Sequence, residues 1–220
     1  MAYCVKVTRL TFAFLIFINT LTWGNVSESM KLEDQISALA EIGISLNEGV
    51  SVDDLLLSYS REEYESSPFN LILFVYGMEI EEEPWGRHFS DQVWNFDVEA
   101  IEDHGSYVEI VNNFHRLTGK AKRLEDLKDY VDIEEEKAEL SYVLEGHVRV
   151  FEPKIDNDWA DPEVVGAVME DLKQSGYDYY PIDNGQASVW YYLKEEQVRT
   201  LNELANNAFN LDQKPWWKLW

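Results

Sequence analysis

The chain has 220 residues, of which 42 are Asp or Glu and 18 are Lys or Arg, giving a formal net charge of −24. Nucleic-acid phosphates and anionic membranes both attract basic surfaces, so this charge argues against either one as a direct ligand. Disorder is also disfavoured, because 45% of the residues are hydrophobic and 14% are aromatic. The one cysteine, Cys4, lies near the start, so the rest of the chain has no disulfide, no cysteine-ligated zinc and no thiol nucleophile.

Residues 1–29 are unlike the rest of the chain. Lys6 and Arg9 precede a mostly apolar segment of twelve residues, which is too short to span a bilayer. This order is typical of a secretory signal peptide with cleavage near Gly24, although no Ala-x-Ala site is present. Alternatively, Met30 is the true start and the upstream residues are a mis-assigned reading frame. The first alternative places the mature protein outside the cytoplasm and the second places it inside, and the sequence leaves both open.

Residues 30–209 are predicted to form a single acidic domain, which a Trp-rich tail over 210–220 follows. Without residues 1–29, which contain two basic residues and one acidic residue, the net charge is −25. In chain order, the spacing of apolar and turn residues predicts a helix over 31–42, a helix that begins at Ser51, a buried strand over 69–76 and a strand over 92–98. A helix over 106–118, capped by Ser106, and strands over 137–145 and 147–151 follow. The last elements are a helix from Asp161 to Gly176, strands over 177–182 and 187–193, and a helix over 195–207 with Leu204 facing inward.

Local signals are clearest in the last third of the chain. Asp161 can cap a helix that has Pro162 in its first turn. Asn184 and Gly185 tolerate positive φ, which is typical of a tight hairpin. The continuous apolar run 69–76 also fits a buried helix, because periodicity alone does not separate the two. Strand pairs and hairpins between about five helices predict an α+β fold, a largely antiparallel sheet covered by helices.

The segment from Asp156 to Glu163 contains three aspartates and is similar to a loop of oxygen ligands for a hard cation. A calcium-binding helix-loop-helix site needs an oxygen ligand at its fifth position, Gly at its sixth and Glu at its twelfth. Counted from Asp156, these positions hold Ala160, Asp161 and Ala167, so the motif fails. The favoured interpretation is a polar turn whose last aspartate caps the next helix.

Two acidic runs, 79–83 and 132–136, lie next to predicted strands. Adjacent carboxylates repel one another, so both runs are expected on solvated loops or strand ends. The same exposure suits recognition of a basic partner. Aromatic residues crowd the last hairpin, and its strand 187–193 is aromatic on both faces. The favoured interpretation is cross-strand aromatic pairing and core packing. Alternatively, one face lies under a helix and the other meets a partner.

No catalytic motif is present: the chain lacks a Gly-x-Ser-x-Gly nucleophile elbow and a phosphate-binding glycine loop. The histidines show no metal-binding spacing on a helix, and His115 is expected to be a partly buried structural residue. A divalent-metal-dependent hydrolase that uses Asp156 and Asp158 with His88 or His104 is one alternative function. A structural protein that self-associates through its aromatic hairpin is another.

The leading hypothesis is a non-enzymatic module that recognises a basic protein partner through carboxylates flanking aromatic anchors. In size, acidity, lack of cysteine and lack of a catalytic signature, the body is similar in character to small bacterial immunity or inhibitor proteins. With this function we expect no cofactor, no bound metal, no direct nucleic-acid binding and no membrane-spanning segment in the body. The candidate contact residues are Glu81, Glu82, Glu83, Trp85, Asp156, Asp158 and Trp159.

Overall fold

The computed structural model describes residues 29–184 and 187–209. In chain order the elements are α1 (Leu32–Glu41), α2 (Val52–Leu55), α3 (Arg61–Ser66), α4 (Asn70–Val75), β1 (Val93–Asp97), α5 (Ser106–Leu117), β2 (Leu124–Asp132), β3 (Lys137–Leu144), β4 (His147–Phe151), α6 (Pro162–Leu172), β5 (Asp178–Asn184), β6 (Ala187–Leu193) and α7 (Glu195–Leu204). The predicted leader, up to residue 28, and the Trp-rich tail lie outside the described residues. Within the described ranges, no helix has the length and apolar character needed to cross a membrane.

The described strands form two three-stranded sheets, and every pairing within them is antiparallel. The central sheet has the order β1-β6-β5, and the outer sheet has the order β2-β3-β4. This confirms the predicted α+β class with antiparallel pairing. The prediction of one sheet and about five helices was too simple, because the described residues form two sheets and seven helices.

The central sheet is covered on both faces. Along β6, Val189, Tyr191 and Leu193 face a core formed with α1 to α4 and α7, which we call the helical core. Trp190 and Tyr192 face a second core formed with α5, α6 and the inner face of the outer sheet, which we call the mixed core. All five side chains are at most 4% exposed. The favoured interpretation of core packing is therefore confirmed for this strand, and the alternative that one face meets a partner is wrong, because the protein's own mixed core covers that face.

A carboxylate from a strand that is distant in sequence caps the N-terminus of helix α5. Asp129 of β2 accepts hydrogen bonds from the backbone N–H groups of Gly105 (2.6 Å), Tyr107 (2.9 Å) and Val108 (3.1 Å). A helix cannot satisfy its own first N–H groups, and its dipole favours negative charge at this end. Ser106 was the wrong cap, because its hydroxyl accepts from two backbone N–H groups of the preceding turn instead.

Helix α6 begins as predicted. One carboxylate oxygen of Asp161 accepts from the backbone N–H groups of Glu163 (2.9 Å) and Val164 (3.4 Å), and Pro162 occupies the first turn. The other oxygen accepts from the backbone N–H of Lys154 (2.7 Å), which closes the loop before the helix. This carboxylate therefore fixes both the start of α6 and the chain that leads into it.

Residues 69–76 contain helix α4 rather than the predicted strand. Pro68 and the left-handed Phe69 (φ 69°) separate it from α3. Ile72, Leu73 and Val75 are buried in the helical core, and none of the described strands pairs with this segment. A run that is apolar on every side can be buried as either element, so the helical surroundings decide.

Further boundaries differ from the predicted ones, among them the end of α6, which lies at Leu172 and not at Gly176. Helix α2 is a single turn, and α7 ends at Leu204, whose side chain is exposed rather than inward. The last hairpin is present and β6 has its predicted bounds, but β5 pairs Asn184 with Ala187, so this strand extends two residues further toward the turn than predicted. Residues 185–186, which connect them, lie outside the described residues.

Candidate functional site

Four of the predicted contact residues lie on one loop, residues 79–88, which we call the acidic loop. They are Glu81, Glu82, Glu83 and Trp85. All four are exposed, and Trp85 has 70% of its surface in solvent. The predicted exposure of the acidic run is confirmed, since adjacent carboxylates stay hydrated when they do not share a cation.

Backbone pairing closes the base of the acidic loop. Glu79 and His88 form an antiparallel bridge, and the N–H of Ile80 donates to the carbonyl of Arg87 (2.8 Å). Ile80 is buried in the helical core. The Arg87 guanidinium forms an ion pair with Asp54 (3.1 Å), which ties the loop to α2. The loop is thus fixed at its base and presents its tip to solvent.

The three glutamates at the tip of the acidic loop form no ion pair with a described residue. Arg87 is occupied by Asp54, and Arg61 pairs with Glu33 (2.8 Å). Among the described residues, the Lys and Arg side chains that form ion pairs do so with carboxylates elsewhere. The three carboxylates of the loop tip are therefore unpaired within the described chain, and the Arg87 guanidinium meets the tip only through the Pro84 carbonyl, to which its Nε donates (3.2 Å).

A cleft of about 180 Å³ opens beside the acidic loop. Its apolar lining consists of Leu55, Leu57, Tyr59, Val75, Met78, Ile80 and Phe89. Glu79, Glu81 and Glu82 complete the lining from the acidic loop. The volume is below the roughly 300–1,000 Å³ of small-molecule sites, so a single side chain with an aliphatic stem fits it better than a metabolite.

The remaining predicted residues, Asp156, Asp158 and Trp159, lie on the turn before α6. The Trp159 N–H donates to the Asp156 carbonyl (3.0 Å), and the Asp158 carbonyl accepts from Ile101 (2.9 Å). Trp159 is 45% exposed, and both aspartates are exposed. The interpretation of this segment as a polar turn that ends in the helix cap Asp161 is confirmed.

The seven predicted residues do not form one patch. Ile80 and Phe89, which anchor the acidic loop, belong to the helical core. Ile155 and Ala160, which flank the Asp156 turn, belong to the mixed core on the opposite face of the central sheet. The structure thus places an exposed tryptophan beside exposed carboxylates on two separate surfaces.

Within residues 29–184 and 187–209, no group of three or more His, Cys, Asp or Glu side chains is placed to hold a metal ion. His104 accepts the N–H of Val131 through Nδ1 (3.0 Å), and its ring lies 4.9 Å from the Tyr130 ring. His88 lies in the base of the acidic loop, on the opposite side of the central sheet from Asp156. The ligand set of the hydrolase alternative is therefore not assembled in the described chain.

Burial shapes the environments of two histidines, His88 and His115. Burial lowers the pKa of His88, and the positive charge of Arg116 lowers it further. His115 is buried, and its Nε2 lies 2.7 Å from the Lys122 carbonyl oxygen. The prediction of a structural histidine on α5 is confirmed.

Sequence reasoning missed the solvent face of the outer sheet. Several of the exposed large hydrophobic side chains of the described chain lie on or next to this sheet: Tyr130, Ile133, Val148 and Val150. The alternating pattern over 147–151 predicts a strand, but it does not show which face the protein itself covers.

Comparison of the chain with protein-family models, with curated proteins and with solved structures finds no match in any of the three. The fold and the surfaces therefore define the class of protein only as an α+β protein with two exposed acidic and aromatic surfaces.

Proposed function

We propose that this protein is a binding module for a basic protein partner, with the kind of role that immunity and inhibitor proteins have. The observation that carries the proposal is the tip of the acidic loop. Three consecutive glutamates and a largely exposed tryptophan are held in solvent by a base that is anchored in the helical core.

Charge supports a basic partner. Carboxylates that form no ion pair within the described chain attract a positive surface from a distance and speed its encounter. At an ionic strength of about 0.15 M, screening limits this attraction to about 8 Å, so the local cluster matters more than the net charge.

Trp85 supports a protein rather than a small cation. Tryptophan is enriched among the residues that supply most of the affinity of protein interfaces, because it buries a large area while its N–H keeps a polar contact. The apolar cleft beside the loop offers a second anchoring point, with Glu81 and Glu82 placed to meet a Lys or Arg head group. The Asp156 turn presents the same chemistry on the other half of the molecule, and we assign it a secondary role.

The test begins with the full-length tagged chain as bait in an extract of cells that make it. Captured proteins are identified by mass spectrometry, and a purified pair is studied by stopped-flow fluorescence. We expect a basic partner whose association rate falls about tenfold or more between roughly 20 and 500 mM NaCl. An association rate that is flat across this range would contradict the proposal.

Two triple variants with equal charge isolate the loop. E81Q/E82Q/E83Q removes the loop carboxylates, whereas E41Q/E48Q/E203Q removes three exposed glutamates that are dispersed over the helices and one loop. The first variant is expected to slow association several-fold and the second to change it by less than about twofold. Equal effects would mean that net charge, not the loop, governs encounter.

A further inference from the structure

An edge strand exposes backbone N–H and C=O groups to chance pairing, and proteins usually protect such edges. Three of the four sheet edges in the described chain are protected. On β1, the N–H of Asn95 donates to the carbonyl of Gly77 (2.9 Å). On β5, Pro181 has no N–H to offer. On β2, the N–H of Val131 donates to Nδ1 of His104 (3.0 Å), and a bulge interrupts the strand.

The fourth edge, β4, has no such protection in the described chain. Glu145 (φ 50°) and Gly146 (φ 80°) form the two-residue turn that joins β3 to β4. A turn of this kind is closed by a hydrogen-bonded pair, and pairs alternate along an antiparallel ladder. Val148 and Val150 therefore direct their N–H and C=O groups away from β3. No described residue hydrogen-bonds to these groups.

The side chains of β4 leave the same edge apolar. Val148 is 71% exposed and Val150 is 58% exposed, both on the solvent face of the outer sheet. The charged residue between them, Arg149, turns to the inner face, where its Nε donates to the Asp171 carboxylate (2.6 Å). The Tyr142 hydroxyl donates to the same carboxylate (2.8 Å). The Arg149 guanidinium therefore does not lie on the solvent face, where it would protect this edge from pairing.

We propose that β4 is a docking edge to which an extended, positively charged segment of a protein partner adds as a fourth strand. Charge favours this occupant. Glu145 and Glu152 flank the two ends of β4, and Glu139 and Glu152 each adjoin the last pair of the β3–β4 register, Leu140 with Phe151. None of these three exposed glutamates forms an ion pair with a described residue. Of the nearby cations, Lys128 lies on β2, two strands away from the free edge, while Arg123 pairs with Glu125 (3.3 Å) and Lys154 pairs with Glu163 (3.4 Å).

A second copy of the chain fits this edge less well. Two copies that paired antiparallel, with Val148 opposite Val150, would bring the Glu145 end of each strand next to Glu152 of the other copy. Like charges in such positions destabilise a strand pair, and each copy carries a net charge of −24. The inference rests on the proposed function for the basic character of the partner, and it adds the mode of docking, which is backbone pairing with alternate side-chain contacts.

The probe is the peptide acetyl-Lys-Thr-Val-Thr-Val-Thr-Lys-amide, titrated into the full-length protein and followed by two-dimensional NMR and amide hydrogen exchange. Its valines face Val148 and Val150 when its lysines face the two ends of β4. We expect the Val148 and Val150 amides to shift and to gain protection, because they become hydrogen-bond donors to the added strand. The same peptide with glutamates in place of its lysines is expected to bind about tenfold more weakly.

Two variants identify the edge. V148P removes an outward N–H and leaves the pairing with β3 intact, since proline is tolerated on the free side of an edge strand. V148T keeps the N–H and the branched shape. We expect V148P to weaken peptide binding about tenfold or more and V148T to weaken it less than about threefold. E139Q/E152Q removes two exposed carboxylates and leaves in place the Glu145 carboxylate, which accepts the backbone N–H of Arg123, and it is expected to weaken binding at low salt.

Unchanged binding to V148P, or binding without protection of the two amides, would overturn the inference. Protection that appears without peptide and grows with protein concentration would overturn it in favour of a second copy. Protection without peptide at all concentrations would overturn it in favour of the chain's own tail, 210–220. A captured partner that depends on the acidic loop but not on V148P would refute the docking edge and leave the proposed function standing. Peptide docking without any captured partner would refute the proposed function and leave the docking edge standing.

Discussion

Replacing Asp129 by alanine tests whether one carboxylate joins the outer sheet to α5. The side chain accepts three backbone N–H groups at distances of 2.6–3.1 Å. Loss of a helix cap costs about 1–2 kcal/mol, and a third donor left without a partner in a half-buried site adds about 1 kcal/mol. We therefore expect D129A to lower the free energy of unfolding by about 2–3 kcal/mol. For a chain of this length that corresponds to a fall in Tm of about 5–10 °C.

The assay is urea unfolding followed by circular dichroism, with calorimetry for Tm. D129N is expected to lose about half as much, because its amide keeps one acceptor oxygen but presents an NH₂ group to the remaining donors. The control D126N removes the same charge from the exposed bulge of the same strand, where no helix N-terminus lies. If D129A lost less than about 0.5 kcal/mol, or no more than D126N, the capping argument would be wrong.

Two further predictions concern groups around the acidic loop and β1. The folded-state pKa of His88 lies below its ordinary value of 6.5, so the unfolded chain binds the proton more readily. The stabilisation is therefore full above about pH 6.5 and falls as the pH drops toward 5. H88N should flatten the pH dependence of the urea-unfolding midpoint over this range, and an unchanged slope would refute the assignment. A Cβ on Gly77 would lie 1.9 Å from Oδ1 of Asn95 and 2.9 Å from the Asn95 backbone nitrogen, so G77A should cost about 1–3 kcal/mol. G77A/N95A removes only the side-chain clash, so it should recover part of this loss in the same assay. Equal stability of the single and double variants would show that the backbone, not the Asn95 side chain, resists the methyl group.

The parts of the fold that the sequence predicts correctly are those with local signals. Helix α6 begins at Asp161 because an aspartate, a proline and a stripe of valines stand together in sequence. The final hairpin follows from turn residues between two aromatic strands. In each case the residues that determine the element are its own neighbours, so no knowledge of the tertiary structure is required.

The parts that sequence reasoning missed depend on distant residues. The cap of α5 comes from Asp129, 24 residues after the Gly105 amide that it accepts from. The run 69–76 becomes α4 because helices, and not strands, surround it. The second aromatic face of β6 is covered because α5 and α6 pack in the core on that side, where the Phe114 ring of α5 lies 6.2 Å from the Trp190 ring. Each outcome follows from a long-range contact that leaves no periodic trace in the sequence.

For the candidate surfaces, the exposure of Glu81 to Glu83 could be predicted because hydration of adjacent carboxylates is a local matter. The separation of this loop from the Asp156 turn could not, since it depends on which face of the central sheet each segment packs against. The open edge at β4 could not be predicted from the sequence for a related reason. A strand pattern does not show whether a neighbouring strand pairs with it. In the sequence Arg149 is a charge that would protect an edge strand, but in the structure its side chain turns to the inner face and pairs with Asp171.

The two proposed surfaces respond differently to salt, and this difference separates encounter from docking. Attraction by the acidic loop extends about 30 Å at 0.01 M salt and about 8 Å at 0.15 M, so salt should act on the association rate. Backbone pairing at β4 forms over hydrogen-bond distances in a contact that excludes water, so salt should change the dissociation rate little. A partner that uses both surfaces will thus lose affinity with salt mainly through association, with a smaller loss from the charged contacts at the two ends of β4. V148P will raise the dissociation rate at every salt concentration, because it removes a contact that forms only after encounter.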